Sequence, residues 1–505
     1  MLNEDIKEHF KKLCIAANHT LTRSEYRKLN EIPEYSSSKI EALWGTWKSF
    51  IQDVSSTINL NRYNIVKTVK KTINNVVISS VIDGSHIDYT CLNALIAYCK
   101  EEKCQLYILW GRALNSNAHF SKEDYDLLQE YLVTDLFFEK DKKCKALDLL
   151  IPATAKNPLQ NLDKLSKGLS TIIVGSPKQY LDTLPHDNNS QFKIALSTGS
   201  ISLPNYKSTV SGQLDTQNHT IGAIRLEWNN QKQRYIPRQL QCDDDGFIYD
   251  ITNTAYTNEG AVMGGELVSC VVLGDLHAPE TDMDALDITI ASLKKLKPEI
   301  AIVHDWMSYQ SVNHYEEHRA LSKVLNATED TIDLRTEIDR SSKIMNKLAK
   351  ACPNTTFYIV HSNHDEFLMK WLNEGEFVKG NPANRVIGCE LFANLANNTP
   401  IFPASMFASN IKFLDPGVSL EIEGYEVAKH GDSGIAGAKG NTNAYVKAYD
   451  KSITGHTHSP KIKESGVVVG TLSKLQLTYN KTSISNWAHA NCVLYKNGTY
   501  QLIFV

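Results

Sequence analysis

The sequence predicts a mixed α/β protein, and three observations carry that expectation. In the C-terminal half, apolar runs of strand length alternate with stretches of helical length and periodicity. Each of these runs stops at side chains able to bind metal, beginning with Val271-Val272-Leu273-Gly274-Asp275-Leu276-His277. Ahead of them lie a helical segment and a second alternation of strands and helices. Side chains alternate sides along extended backbone, so Asp275 and His277 point the same way from the end of their strand.

The 505 residues are too many for one core and suggest two to four domains. With 42% hydrophobic and 22% charged residues the composition is that of a globular protein, and a net charge of -4 excludes a global basic field for nucleic acid. No run of about 18 apolar residues is present, and MLNEDIKEHFKK has no apolar core of a secretion signal, so a cytoplasmic protein without membrane contact is expected. The ten cysteines contain no Cys-x-x-Cys pair, which excludes a zinc ribbon and a disulfide framework.

Residues 1–60 read as a small helical module, similar to helix-turn-helix units. Ile6, Phe10 and Leu13 recur at helical spacing, and Thr22-Arg23-Ser24-Glu25 and Ser38-Lys39-Ile40-Glu41 fit the capping box. The second of these opens a helix with Ile40, Leu43, Trp44, Trp47 and Phe50 mostly on one face. Residues 1–72 hold twelve Lys+Arg against eight Asp+Glu, a local +4. Arg23, Arg27, Lys28, Lys39 and Lys48 are therefore candidate DNA contacts, with plain helical packing or oligomerisation as the competing role. Residues 56–72 read as a linker.

Residues 70–262 read as a non-catalytic α/β domain that shapes access or subunit contacts. Strands are expected at Val76–Ile82, Leu106–Trp110 and Leu169–Val174, a helix at Cys91–Cys104, and β-rich chain from Ile194 to Trp228. Asp83-Gly84-Ser85-His86 lacks matching later ligands and is not read as a metal site. Asp243-Asp244-Asp245-Gly246 is expected to be a solvated turn.

Residues 266–505 hold the chemistry. Strand Leu267–Leu273 leads to a helix Asp284–Leu296, strand Ile300–Val303 ends in His304-Asp305, and a helical stretch covers Glu317–Lys350. Strand Phe357–Val360 then ends in His361-Ser362-Asn363-His364-Asp365. Strands Glu426–Ala428 and Ile453–Thr454 end in Lys429-His430-Gly431-Asp432 and Gly455-His456-Thr457-His458. A hairpin about Asn497-Gly498 joins Cys492–Leu494 to Tyr500–Val505.

In this order the blocks resemble the calcineurin-like metallophosphoesterases, whose pattern is Asp-x-His, Gly-Asp, Gly-Asn-His-Asp/Glu, a lone His and Gly-His-x-His. The resemblance covers about residues 266 to 505. His430-Gly431-Asp432, Gly455-His456-Thr457-His458-Ser459-Pro460 and Ser485-Asn486-Trp487 resemble phage-encoded members, among them the pre-early nucleases with which T5-like phages degrade host DNA. The chain departs from the pattern at His304 and Ser362, which stand where the family has glycine; neither change removes a ligand.

The resemblance implies a layered β-sandwich flanked by helices and two divalent metal ions. Asp275, His277, Asp305 and His458 would hold one, and Asp305, Asn363, His430 and His456 the other, with Asp305 bridging. His364 would contact the phosphate and protonate the leaving oxygen, with Asp365 orienting its ring. Nitrogen and oxygen ligands without thiolates favour Mn, with Mg, Fe or Zn also suited. The implied activity is a phosphodiesterase acting on DNA, in the host cytoplasm if phage-encoded. The alternatives are a phosphomonoesterase for phosphoprotein or nucleotide, and a DNA-binding or host-interaction protein with a vestigial site. A homo-oligomer is a further expectation.

The Gly-rich Gly431–Gly440 stretch lacks the Gly-Lys-Ser/Thr of a P-loop and is expected to border the substrate. Trp306, Tyr309, His314, Tyr315 and Trp487 are expected to pack rather than to stack on bases. His304 either touches substrate or fills space.

Overall fold

Parallel pairing brings the reactive strand ends together. In the computed structural model, strands Ile411–Phe413, Thr356–Ile359, Ile300–Val303, Val268–Val272, Ala490–Tyr495 and Tyr500–Phe504 form one sheet in that spatial order. The first four run parallel, so the chain leaves three of them at a common edge carrying the Asp275, Asp305 and His364 blocks. The structure describes residues 2–17, 21, 23–55, 66–71, 73–82, 84–111, 122–187, 192–314, 333–477, 480 and 483–505.

Continuous apolar runs form these strands because both faces of the sheet are covered. Val271, Val303 and Phe357 enter a cluster with Leu286 and Leu293 of helix Met283–Leu296 and with Ile338, Met345 and Leu348 of helix Leu334–Ala351. Their neighbours Cys270, Val272 and Ile302 enter a different cluster with Tyr425, Ile453, Ile462 and Val467 from the second sheet. Asp282 and Asp333 cap the two helices by accepting backbone N–H bonds. The expected stretch Glu317–Lys350 is thus helical from Leu334; residues 317–332 lie outside the described residues.

The second sheet is mixed and has fifteen strands. It begins at Glu421–Ile422 and passes through Tyr425–Glu426, Ser452–Thr454, Gly466–Val468 and Lys461–Lys463. It then continues without a break into Leu181–Leu184 and Lys193–Ser197 and ends at Arg234–Gln241. The joint is the antiparallel register Lys461↔Asp182 and Ile462↔Leu181. Residues 70–262 and 266–505, which read separately in sequence, therefore share one sheet and one buried cluster.

A buried carboxylate reinforces this union. Asp250, fully buried, accepts from Arg238 Nε (2.7 Å), Arg238 Nη2 (2.9 Å), Arg225 Nη1 (3.2 Å), Tyr98 Oη (2.7 Å) and Gln501 Nε2 (3.1 Å). Burial would raise its pKa, but the two guanidinium groups hold it below the usual carboxylate range.

Several local expectations shift by a few residues. The strand is Asn75–Ile82, the next helix is Tyr89–Glu101 with Asp88 as its cap, and Ile194 to Trp228 includes helix Val210–Gln217. Part of the expected linker is strand Val66–Lys71, paired parallel to Leu132–Phe138; residues 56–65 and 72 lie outside the described residues. The terminal hairpin forms as Ala490–Tyr495 and Tyr500–Phe504.

In the N-terminal segment, Leu2–Ala17, Arg23–Leu29, Ser37–Trp44 and Trp47–Ser55 are helical and bury Ile6, Phe10, Tyr26, Ile40 and Phe50 together. Gly45, at φ 80°, separates the last two, and Leu43 is exposed instead of on the core face. Ser38 does not open a capping box: the helix starts at Ser37, after a 3-10 turn at Pro33–Tyr35. No described helix is long and apolar enough to cross a membrane.

Asp250→Ala leaves two buried guanidinium groups without their carboxylate and should lower the unfolding free energy by about 3–5 kcal/mol. A lower urea midpoint at unchanged slope reports this loss, whereas Asp244→Ala in the exposed turn should stay within about 0.5 kcal/mol.

Candidate metal centre

The site assembles because the two sheets present parallel strand ends at one edge. From the first sheet come Asp275 and His277, Asp305, and Asn363 with His364; from the second come His430, His456 and His458. Backbone bonds interlock the turns: His277 N donates to Asp305 O (2.6 Å), Gly455 N to His430 O (2.8 Å), and Asp275 N to Gly470 O (3.1 Å). Thr471 Oγ1 also donates to Asp275 O (2.8 Å).

Close approach of the sheets depends on Gly455. A Cβ there would lie 2.2 Å from Asp275 Oδ1. The turns are also strained: His277 (φ 44°), Asp305 (φ 41°), His456 (φ 73°) and His458 (φ 59°) occupy the left-handed region. Non-glycine residues held there cost of the order of 1–3 kcal/mol each and concentrate at functional sites.

Asp275, His277, Asp305 and His458 are buried, and one ligand atom from each lies within 4.8 Å of all the others. His277 Nε2 is 2.7 Å from His458 Nε2 and 3.4 Å from Asp305 Oδ2, and His458 Nε2 is 3.1 Å from Asp275 Oδ2. His430 Nε2 approaches the same Asp305 Oδ2 at 3.1 Å. The His456 ring lies 5.2 Å from that of His430, with its Nδ1 3.1 Å from Asn363 Oδ1. Asp305 thus stands between two sets of nitrogen and oxygen donors.

Burial drives His277 down to about 3, leaving a neutral imidazole with a lone pair to give. For His430 burial pulls the same way, but Asp305 and Asp275 outweigh it and push the ring up to about 9. Asp305 is held well below the usual range against its burial by His430, His364 and His277.

The donor set fits divalent cations. Asp275 Oδ1, Asp305 Oδ1, His430 Nδ1 and His458 Nδ1 are buried without a hydrogen-bond partner. Such atoms are costly unless something satisfies them. Carboxylates, imidazoles and an amide oxygen, with no thiol among them, suit Mn, Mg, Fe or Zn.

His364 and Asn363 lie half-buried at the rim. His364 Nδ1 is 2.8 Å from Ser308 O, which fixes the ring. Asp365 does not orient it: that carboxylate accepts from Tyr309 Oη (2.9 Å), Ser362 N (2.9 Å) and Ser362 Oγ (3.2 Å). Helix Asp365–Asn373 starts at Asp365 and turns its side chain back into the strand-to-helix turn, away from the imidazole. Ser362 anchors that turn through these two bonds.

The turn carrying Ser308 was not legible in sequence. Ser308 Oγ donates to Glu280 Oε2 (2.7 Å), while Glu337, fully buried, accepts from Gln310 N (2.8 Å), Ser311 N (3.0 Å) and Ser311 Oγ (2.6 Å). An acid in the first turn of a helix reads as solvated surface; only the folded chain shows it holding a loop.

His304 is fully buried and packs beside His430, with 5.5 Å between ring centres. Trp306 packs against Phe402, Phe407 and Phe413, and His314 against Phe367. Trp487 lies edge-on to His458 at 4.2 Å between ring centres; Tyr315 is outside the described residues. Among the basic candidates, Arg23 pairs with Glu41 and Arg27 Nε donates to Ser37 Oγ (2.7 Å), both within the helical module. Lys28, Lys39 and Lys48 are exposed. All ten cysteines are free thiols.

Two outcomes follow. Adding Mn, Mg or Zn to metal-stripped protein should raise its melting temperature, and Asp305→Ala should lose most of that rise because both donor sets share this carboxylate. Burial raises Glu337 to about 7 from an ordinary 4.5, so the folded state binds the extra proton between these values. Stability is then highest below pH 4.5 for this group and falls as pH rises toward 7, by about 3 kcal/mol in all. Glu337→Gln should flatten that slope in urea titrations at stepped pH.

No family model matches the chain. Protein A1 of Escherichia phage T5 is 27% identical to it over 373 residues, which span 69% of this chain and 66% of that protein, just under two thirds of its length. One crystal structure overlaps 47% of this chain and 98% of its own at 12% identity and a TM-score of 0.25. Chaetomium thermophilum Vps29, complexed with a RaPID-derived cyclic peptide, overlaps 35% of this chain and 91% of its own at 11% identity and a TM-score of 0.21. At such TM-scores neither likeness bears on the fold.

Proposed function

We propose that the chain is a two-metal phosphodiesterase that hydrolyses DNA, a phage DNase acting on a host genome. The observation that carries this reading is Asp305, a buried carboxylate whose Oδ2 is approached by both His277 and His430. The similarity to a phage T5 protein supports the phage origin. Two sheets sharing one core, with helices over the first, support the layered sandwich implied by the sequence blocks.

Asp275, His277, Asp305 and His458 would hold one cation, and Asp305, Asn363, His430 and His456 the other. Bound there, the cations supply Lewis acidity toward the attacking water and the phosphoryl oxygens of an in-line displacement. The protein's own work is positioning. Ser308 O accepts the hydrogen bond of His364 Nδ1–H, so the ring, when protonated at both nitrogens, would donate its Nε2 proton to the departing sugar oxygen and be left as the neutral Nδ1–H imidazole. Phe367, 5.0 Å from the His364 ring centre, restricts its rotation. The half-buried rim of Asn363, His364 and His456 gives a long substrate a way to the buried donors.

Supercoiled plasmid, metal-stripped protein and resupplied Mn, Mg or Zn test the reading. Nicking or degradation that requires metal is expected, abolished in Asp305→Ala and slowed by about 10²–10⁴ in His364→Ala. Turnover of a phosphomonoester with the plasmid intact would move the assignment to a phosphatase. Full activity in His364→Ala would remove that residue from the chemistry.

A further inference from the structure

A cleft of about 450 Å³ opens beside the metal centre. Its inner end is formed by Gly431 and Thr457, the neighbours of His430, His456 and His458. Its floor is the outer face of strand Lys461–Lys463, and its far wall includes Asp182 and Asn486. The volume lies within the range of about 300–1,000 Å³ usual for small-ligand sites, enough for a nucleoside unit beyond the phosphate.

The strand's alternation gives the floor its charge. Ile462 points into the shared core, so Lys461 and Lys463 both face the cleft. Lys461 Nζ is held 3.1 Å from Asp182 Oδ2, and the two side chains remain more than a third exposed. Lys463 has no carboxylate partner among the described residues. Asp182 arrives from residues 70–262 through the register that joins the two halves of the long sheet. That region, which carries no chemistry of its own, thereby forms one wall of the approach to the site.

We propose that this cleft is the subsite for the DNA strand flanking the scissile phosphate, with Lys461 and Lys463 on backbone phosphates and Asp182 restraining Lys461. The proposal rests on the DNA-hydrolase reading above. A small phosphodiester reaches the metal centre without entering the cleft, whereas a polymer continuing past Gly431 and Thr457 fills it. Asp182 lowers the affinity for phosphate by neutralising a cation that the strand would otherwise use whole.

The test compares single-stranded and duplex DNA oligonucleotides with bis(p-nitrophenyl) phosphate, using the full chain loaded with the most active metal across a series of salt concentrations. Lys461→Ala/Lys463→Ala should raise KM for DNA several-fold. It should also make the dependence of log(kcat/KM) on log salt shallower by about 0.7–0.9 per lysine, with small-diester turnover unchanged. Asp182→Asn should move KM for DNA the opposite way. An unchanged salt slope, or equal losses on DNA and the small diester, overturns the subsite. Wild-type protein that cleaves DNA while the lysine variants match it removes the cleft alone. Wild-type protein that hydrolyses the small diester but neither DNA form removes the DNA reading and the cleft with it.

Discussion

Asp305 is a fully buried carboxylate with one oxygen facing imidazoles from both sheets, 3.4 Å from His277 and 3.1 Å from His430. Such a group is tolerated only where opposite charge or metal satisfies it. The surrounding architecture keeps it in place. Parallel registers deliver the strand ends, Gly455 leaves room for Asp275, and left-handed turns at His277, Asp305, His456 and His458 aim the side chains inward.

Strain of that kind has to be offset elsewhere, and the rest of the chain shows where. One core cluster runs from Val76 to Phe504 and ties both halves of the long sheet to the six-stranded sheet. Asp250 adds a polar anchor, joining Tyr98, Arg225, Arg238 and Gln501. Cross-links over such sequence distances make residues 70–262 part of the scaffold that fixes the strand ends. The same continuity carries Asp182 to the cleft beside the metal centre.

A second level of support acts on the rim. Ser308 holds His364 through a backbone carbonyl, and Glu280 and Glu337 hold the turn that carries Ser308. Asp365, next to His364 in sequence, is engaged by Tyr309 and Ser362 instead. Adjacency in sequence put these two side chains on opposite sides of a strand-to-helix turn, while a residue fifty-six positions away supplied the acceptor.

The sequence by itself determined the strands that end in candidate ligands, the side-chain types and their order, because period-two alternation and side-chain chemistry are local properties. Asp275 and His277 converge in the structure as their spacing required. Other local patterns were outweighed: Gly45 breaks the expected single helix into Ser37–Trp44 and Trp47–Ser55, and Val66–Lys71, read as linker, pairs with Leu132–Phe138. Only the tertiary structure decided that Ser308 rather than Asp365 orients His364, that Arg23 pairs with Glu41, and that residues 70–262 extend the sheet behind the site. These outcomes depend on strand registers and buried contacts between distant segments, whose free energies are set by packing across the whole core and leave no periodicity in the chain.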